Sequence, residues 1–90
     1  KTAKKCFRVL ELSEYLVKDG NPNSISDAGV AAEVALAGIR GGCMNVLINL
    51  SDIDDISFKK SIQIEVNDLI NKGNDLHGKI FKKTLMVIQG

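Results

Sequence analysis

The sequence predicts an all-α protein, a bundle of three long helices that forms part of a larger helical domain. Three observations carry that expectation. Apolar residues recur at three- and four-residue steps in three successive segments. The stretch Asp19-Gly20-Asn21-Pro22-Asn23 breaks the first from the second, and Ser51-Asp52-Ile53-Asp54-Asp55 breaks the second from the third.

The first segment places Ala3, Cys6, Phe7, Val9, Leu10, Leu16 and Val17 on one stripe. It stops at Asp19-Gly20, a C-terminal helix signal, so the first helix is expected over residues 2 to 19. Pro22 drives Asn21 away from helical angles. Ser24 followed by Asp27 then matches a capping box, which puts the start of the second helix near Ser24. That helix carries Ala28, Gly29, Ala31, Ala32, Ala35, Ala37, Gly38, Gly41 and Gly42. Residues this small supply little core volume, but they let another backbone come close, so a tight helix crossing is expected. Cys43, Met44, Val46, Leu47, Ile48 and Leu50 extend the apolar run past the glycine pair, as continued helix bent at Gly41-Gly42. Asp54 or Asp55 caps the third helix, whose stripe runs through Phe58, Ile62, Val66, Leu69, Gly73, Leu76, Ile80 and Val87 to near Ile88.

Composition narrows the class. The 90 residues are 44% apolar and carry a formal charge of +1, which fits one small soluble globular unit and not a disordered chain or a nucleic-acid binder. Lys1, Lys4, Lys5, Lys82 and Lys83 are interspersed with acids and read as a solvated face. Cys6 and Cys43 lack CxxC spacing and sit in apolar helical patterns, as expected of buried thiols in a reducing compartment. No zinc ligand set is present, and His77 is expected to pack or face solvent. No leader pattern and no apolar run of about 18 residues is read, so the expected address is cytoplasmic, with no membrane partner. The chain opens KTAKKCFRVLELSEYL without Met and already in helical rhythm, as expected of a piece of a longer polypeptide. Three long helices alone would leave an apolar face open unless a partner covered it.

The polar residues of the second segment need an explanation, because buried amides without partners are costly. Asn21 and Asn23 suit a turn, and Ser24 and Asp27 suit a cap. Asn45 and Asn49 are spaced i, i+4, so both amides leave the helix on one side. They are either buried helix-to-helix hydrogen bonds or an amide pair that holds a ligand rich in ring nitrogens and carbonyls. Asp27 and Asn45 lie eighteen residues apart, five full turns, so they share an azimuth but are separated by about 27 Å along an unbroken helix. Two pockets, or one long ligand bound across a subunit interface, remain open.

The runs GNPNSISDAGVAA, RGG and NVLINL, at fixed spacing from Gly20 to Leu50, resemble the cyclodeaminase domain of formiminotransferase-cyclodeaminase and its stand-alone relatives, the methenyltetrahydrofolate cyclohydrolases. The flanking helices fit as well, so the resemblance covers residues 1–90 as the C-terminal portion of that domain. It implies an all-helical homodimer acting on one-carbon groups held between N5 and N10 of tetrahydrofolate. The implied reaction converts 5-formiminotetrahydrofolate to 5,10-methenyltetrahydrofolate with release of ammonia. The alternatives are a methenyltetrahydrofolate cyclohydrolase and a non-catalytic helical dimerisation module. The tetrahydrofolate derivative is the substrate, and no tightly bound cofactor or metal is implied. The family's N-terminal half, with its Gly-rich PGGGS-type segment and a proposed catalytic aspartate, is missing here, so no residue inherits that role and the 90 residues alone are expected to be inactive. The implied substrate-binding set is Asn21, Asn23, Ser24, Asp27, Asn45 and Asn49. Asp27, the carboxylate inside the resembling motif, is the candidate acid or base.

Overall fold

The computed structural model describes residues 2–17 and 22–90, with the side chains of residues 16, 17, 22 and 23 excepted. Three helices follow in order: α1 (Thr2–Val17), α2 (Pro22–Leu50) and α3 (Ile56–Gln89). Among the described residues there is no strand. At about 1.5 Å per residue, a helix as long as α3 spans about 51 Å. The molecule measures 52 × 17 × 15 Å, so α3 sets its length.

α2 begins two residues earlier than the capping pattern predicts. Pro22 occupies its first turn, where a missing N–H costs nothing because that donor has no intrahelical partner anyway. Ser24 and Asp27 therefore lie inside the helix and do not form the expected capping box. The helix runs unbroken through Gly41-Gly42 to Leu50, as expected for a continued helix. Beyond it the Ser51 hydroxyl donates to the Ile48 carbonyl (2.9 Å) and Ile53 N–H donates to the Leu50 carbonyl (3.1 Å), which satisfies acceptors at the helix end. Asp55 then caps α3, its Oδ1 accepting from Phe58 N–H at 3.0 Å.

The expected close crossings are present. A Cβ placed on Gly38 would collide with Cys6 Sγ, and one on Gly42 would sit 3.2 Å from the Ala3 Cβ, so α1 lies directly against this stretch of α2. On the other flank a Cβ on Gly29 would come 2.7 Å from Thr84 Cγ2 of α3. Gly73 of α3 in turn receives Ile39 of α2, whose Cδ1 would stand 3.2 Å from an added Cβ. Glycine here is a packing residue: its missing side chain is the space another helix occupies.

Leu10, Ile25, Ile39, Cys43 and Ile80 are fully buried and form the bulk of a narrow core, with Ala28, Ala32 and Ala35 between them. Ser13 and Thr84 are buried polar residues that periodicity does not mark. Each hydroxyl bonds the carbonyl four residues back, Ser13 to Val9 at 2.9 Å and Thr84 to Ile80 at 2.7 Å, which removes the cost of burial. Cys6 is half-buried, Cys43 is buried, and both are free thiols. Phe58 is exposed and lies off the core that its stripe position predicts.

α2 also corrects one expectation from composition. Within Ser24–Leu50 a window of 18 residues reaches a mean hydropathy of 1.3, which makes the helix long and apolar enough to cross a membrane by those two measures. Alanine and glycine raise the mean without a run of bulky side chains, which is why the segment escapes notice as an apolar block. A helix apolar around most of its circumference is an interior helix or a membrane span. Here only one side of it meets α1 and α3. Among the described residues sixteen large apolar side chains remain exposed, and Val30, Val34, Met44 and Ile48 of α2 are among them.

Candidate functional site

Asn45 stands at the rim of a groove of about 600 Å³ between α1 and α2, lined by Thr2, Ala3, Gly38, Gly41, Gly42 and Val46. Of its three glycines Gly38 and Gly42 are packed on Cys6 and Ala3, while nothing lies within 4 Å of the Cβ position of Gly41, so at Gly41 bare backbone faces the space. A flat ring can approach such a surface within van der Waals contact where any side chain would hold it off. The Asn45 amide is exposed, so it is not buried against another helix among the described residues. It offers one carbonyl acceptor and an NH2 donor, the combination that matches a heterocycle edge with adjacent donors and acceptors. Asn49, one turn on, is also exposed but does not line this groove.

Ser24 and Asp27 fall elsewhere. They border a separate cavity of about 360 Å³ with Ala28 and Ala31, near the other end of α2. Because α2 is unbroken, the separation of about 27 Å between Asp27 and Asn45 holds, and the two cannot touch one small ligand within a single chain. Asn21 lies outside the described residues, as does the side chain of Asn23. Of the six expected binding residues, the structure thus places two in one cavity, one at a groove rim, and one exposed beside it.

Polar contacts join α2 to α3, and local spacing gives no sign of them. His77 Nε2 lies 2.5 Å from Glu33 Oε2, with the imidazole stacked on Phe81 at 5.9 Å between ring centres. Two turns along α2, Arg40 donates to Asn74 Oδ1 at 2.8 Å. The partners are 44 and 34 residues apart in sequence, so only the packing of α2 on α3 could reveal them. His77 accordingly has the packing role expected of it. Among the described residues no three His, Cys, Asp or Glu side chains converge as metal ligands.

Cys43 lines a smaller cavity of about 140 Å³ with Ala3, Lys4 and Val66, on the other side of the same α1–α2 contact. Burial raises its thiol above the ordinary range, because the thiolate would lose its hydration. The folded state therefore binds this proton more tightly than the unfolded state. Its contribution is complete below the ordinary thiol range near pH 8.5 and declines as pH rises through it. Thermal unfolding between pH 7 and 9.5 is expected to show a falling melting temperature, with a shallower slope in Cys43→Ala than in the parent. Equal slopes would remove Cys43 from this account.

The all-helical unit and its match to known sequences together define the class to which the chain belongs. The chain belongs to the formiminotransferase-cyclodeaminase family, whose model matches residues 1–68. It is 36% identical over 77 residues to the methenyltetrahydrofolate cyclohydrolase of Methylorubrum extorquens AM1, covering 86% of this chain and 37% of that protein. It is also 36% identical over 59 residues to the formimidoyltransferase-cyclodeaminase of Rattus norvegicus, covering 66% of this chain and 11% of that protein. The Mus musculus protein of the same name matches with the same identity and coverage. The chain thus spans about a third of the cyclohydrolase and about a tenth of the two bifunctional proteins. No solved structure matches.

Proposed function

We propose that the protein carrying this chain acts on tetrahydrofolate one-carbon derivatives as a cyclodeaminase. The observation that carries the reading is the Asn45 groove, with its glycine backbone and single exposed amide. A pterin is flat and presents neighbouring donors and acceptors along one edge. The Gly41 backbone would take its face, and Asn45 would take that edge.

In the proposed reaction N10 attacks the formimino carbon and its proton passes to the imine nitrogen. The carbon then holds N5, N10 and an amino group. A second proton converts that amino group to a leaving ammonia, and the methenyl bridge remains. Both steps need an acid and a base near the bridge. Asp27 is the candidate, but it cannot reach a ligand on Asn45 of its own chain. The acid or base is therefore supplied from outside the subunit's own groove. Folate substrate and the rest of the helical domain are the expected partners, and a cytoplasmic location suits the substrate.

Cyclohydrolase activity is the second reading, in which water attacks the methenyl carbon and the ring opens. The broader match to the cyclohydrolase, 86% of the chain against 66%, favours it. Assaying the full-length protein on formimino- and methenyl-tetrahydrofolate, with ammonia release followed, separates the two. Ammonia from the formimino substrate is the expected result. Turnover of the methenyl substrate alone selects the cyclohydrolase. No turnover of either, with no rise in melting temperature on adding a folate analogue, leaves a helical interaction module.

A further inference from the structure

We infer that the Cys43 cavity and Lys4 beside it form the second half of the ligand site: the cavity takes the aminobenzoyl ring of the folate, and Lys4 takes a carboxylate of its glutamyl tail. Lys4 is then a specificity-determining residue. The inference rests on the folate reading and extends it from the pterin to the rest of the substrate. Ala3 and Val46 line both the Asn45 groove and the Cys43 cavity, so one layer of side chains separates the two spaces. Val46 follows Asn45 directly in sequence and is 40% exposed, so the ridge between them is open to a ligand.

Size and lining identify the ring. The cavity holds about 140 Å³. An apolar cavity of about 150 Å³ is large enough for one benzene molecule, which is too little for a bicyclic pterin. Ile62, Val66 and Leu69 of α3 supply an apolar wall, and Cys43 of α2 lies against them. Burial keeps the Cys43 thiol neutral at neutral pH, so a ring entering the cavity displaces no charge there. The groove at Asn45, with about 600 Å³, has the room that the bicycle needs. In a tetrahydrofolate a methylene and N10 are all that join the two rings, so it needs neighbouring spaces of unequal size. Seated in this way, N5 and N10 lie over the Val46 ridge.

Charge identifies the tail. Lys4 and Glu65 are the charged residues among the described lining of the cavity, and neither borders the Asn45 groove. Lys4 Nζ lies 3.5 Å from Glu65 Oε1, with the two side chains 68% and 59% exposed. A pair this solvated holds its members weakly, so the ammonium is available to another carboxylate. The glutamyl tail leaves the aminobenzoyl ring para to N10. With N10 on the Val46 side, the tail emerges on the side away from the groove, where the cavity has its charges. Glu65 repels the same tail, so the two residues act on its binding in opposite senses.

The test is calorimetry on the full-length protein with 5-formyltetrahydrofolate, the same compound without its glutamate, and the reduced pterin alone. Wild type is expected to lose about tenfold in affinity when the glutamate is removed, as for a hydrogen bond between charged groups, and to lose more when the ring is removed as well. Lys4→Gln should abolish the glutamate difference and leave the glutamate-free ligand bound as before, while Glu65→Gln should enlarge it. Lys72→Gln breaks a comparable exposed pair with Asp68 and should change neither. A purely structural loss would weaken both ligands together. With methyl-labelled protein, the aminobenzoyl protons should show nuclear Overhauser contacts to the methyl groups of Ile62 and Val66. Equal affinity of the wild type with and without glutamate, or the same response from Lys4→Gln and Lys72→Gln, overturns the role of Lys4. A bound folate whose ring gives no contact to those methyl groups overturns the cavity. Each of these results leaves the folate reading in place, whereas a wild type that binds none of the three ligands rejects that reading and the inference together.

Discussion

Gly38→Leu lowers stability by about 1–3 kcal/mol, through overpacking at the α1–α2 crossing. The mechanism is specific to this glycine. A single Cβ at position 38 already collides with Cys6 Sγ and would stand 3.2 Å from Cys6 Cβ, so a leucine there must displace Cys6. α1 would have to lift away, which opens the contact at Gly42 and Ala3 one turn further on. Gly78 provides the control: nothing lies within 4 Å of its Cβ position. Gly78→Ala therefore gains up to about 1 kcal/mol from helix propensity. Thermal unfolding of the two variants should move in opposite directions by several degrees. An unchanged melting temperature for Gly38→Leu would show that α1 does not pack here.

Asn45→Ala weakens binding of a folate analogue by about tenfold, roughly 1.4 kcal/mol, while the melting temperature stays near that of the parent. The asymmetry follows from exposure. An exposed amide is hydrated when the groove is empty, so its removal leaves no buried partner unpaired. When a ligand displaces that water, the missing donor and acceptor are felt in full. Alanine is the useful replacement because a larger apolar residue would change the groove's shape as well as its chemistry. Binding measured by calorimetry beside thermal unfolding checks both halves. A large loss of stability with unaltered affinity would place Asn45 in the packing and not in the site.

How much of this was legible in the residues depends on the range of the interactions. Stripes, breaks and caps act within one or two turns. The all-α class, the order of three helices and the Asp55 cap were accordingly readable. The start of α2 was not, because Pro22 at the first turn and Ser24 at a cap are both good local solutions, and the competition between them is close. Ser13 and Thr84 escaped because a hydroxyl bonded to its own helix can sit in a core that an apolar pattern does not record.

The sequence by itself determined the helices, the family, and the distance between Asp27 and Asn45, since rise per residue is fixed once a helix is unbroken. The tertiary structure alone decided which glycines are filled by a neighbour and which face open space. Gly38 and Gly42 lie under α1, Gly29 and Gly73 lie between α2 and α3, and Gly41 and Gly78 meet nothing. It alone exposed Asn45 beside a groove, paired Glu33 with His77 across 44 residues, and left one face of α2 uncovered. The physical reason is the same in each case. Local hydrogen bonding and steric preference are properties of neighbouring residues, whereas contact between helices depends on how whole surfaces fit together.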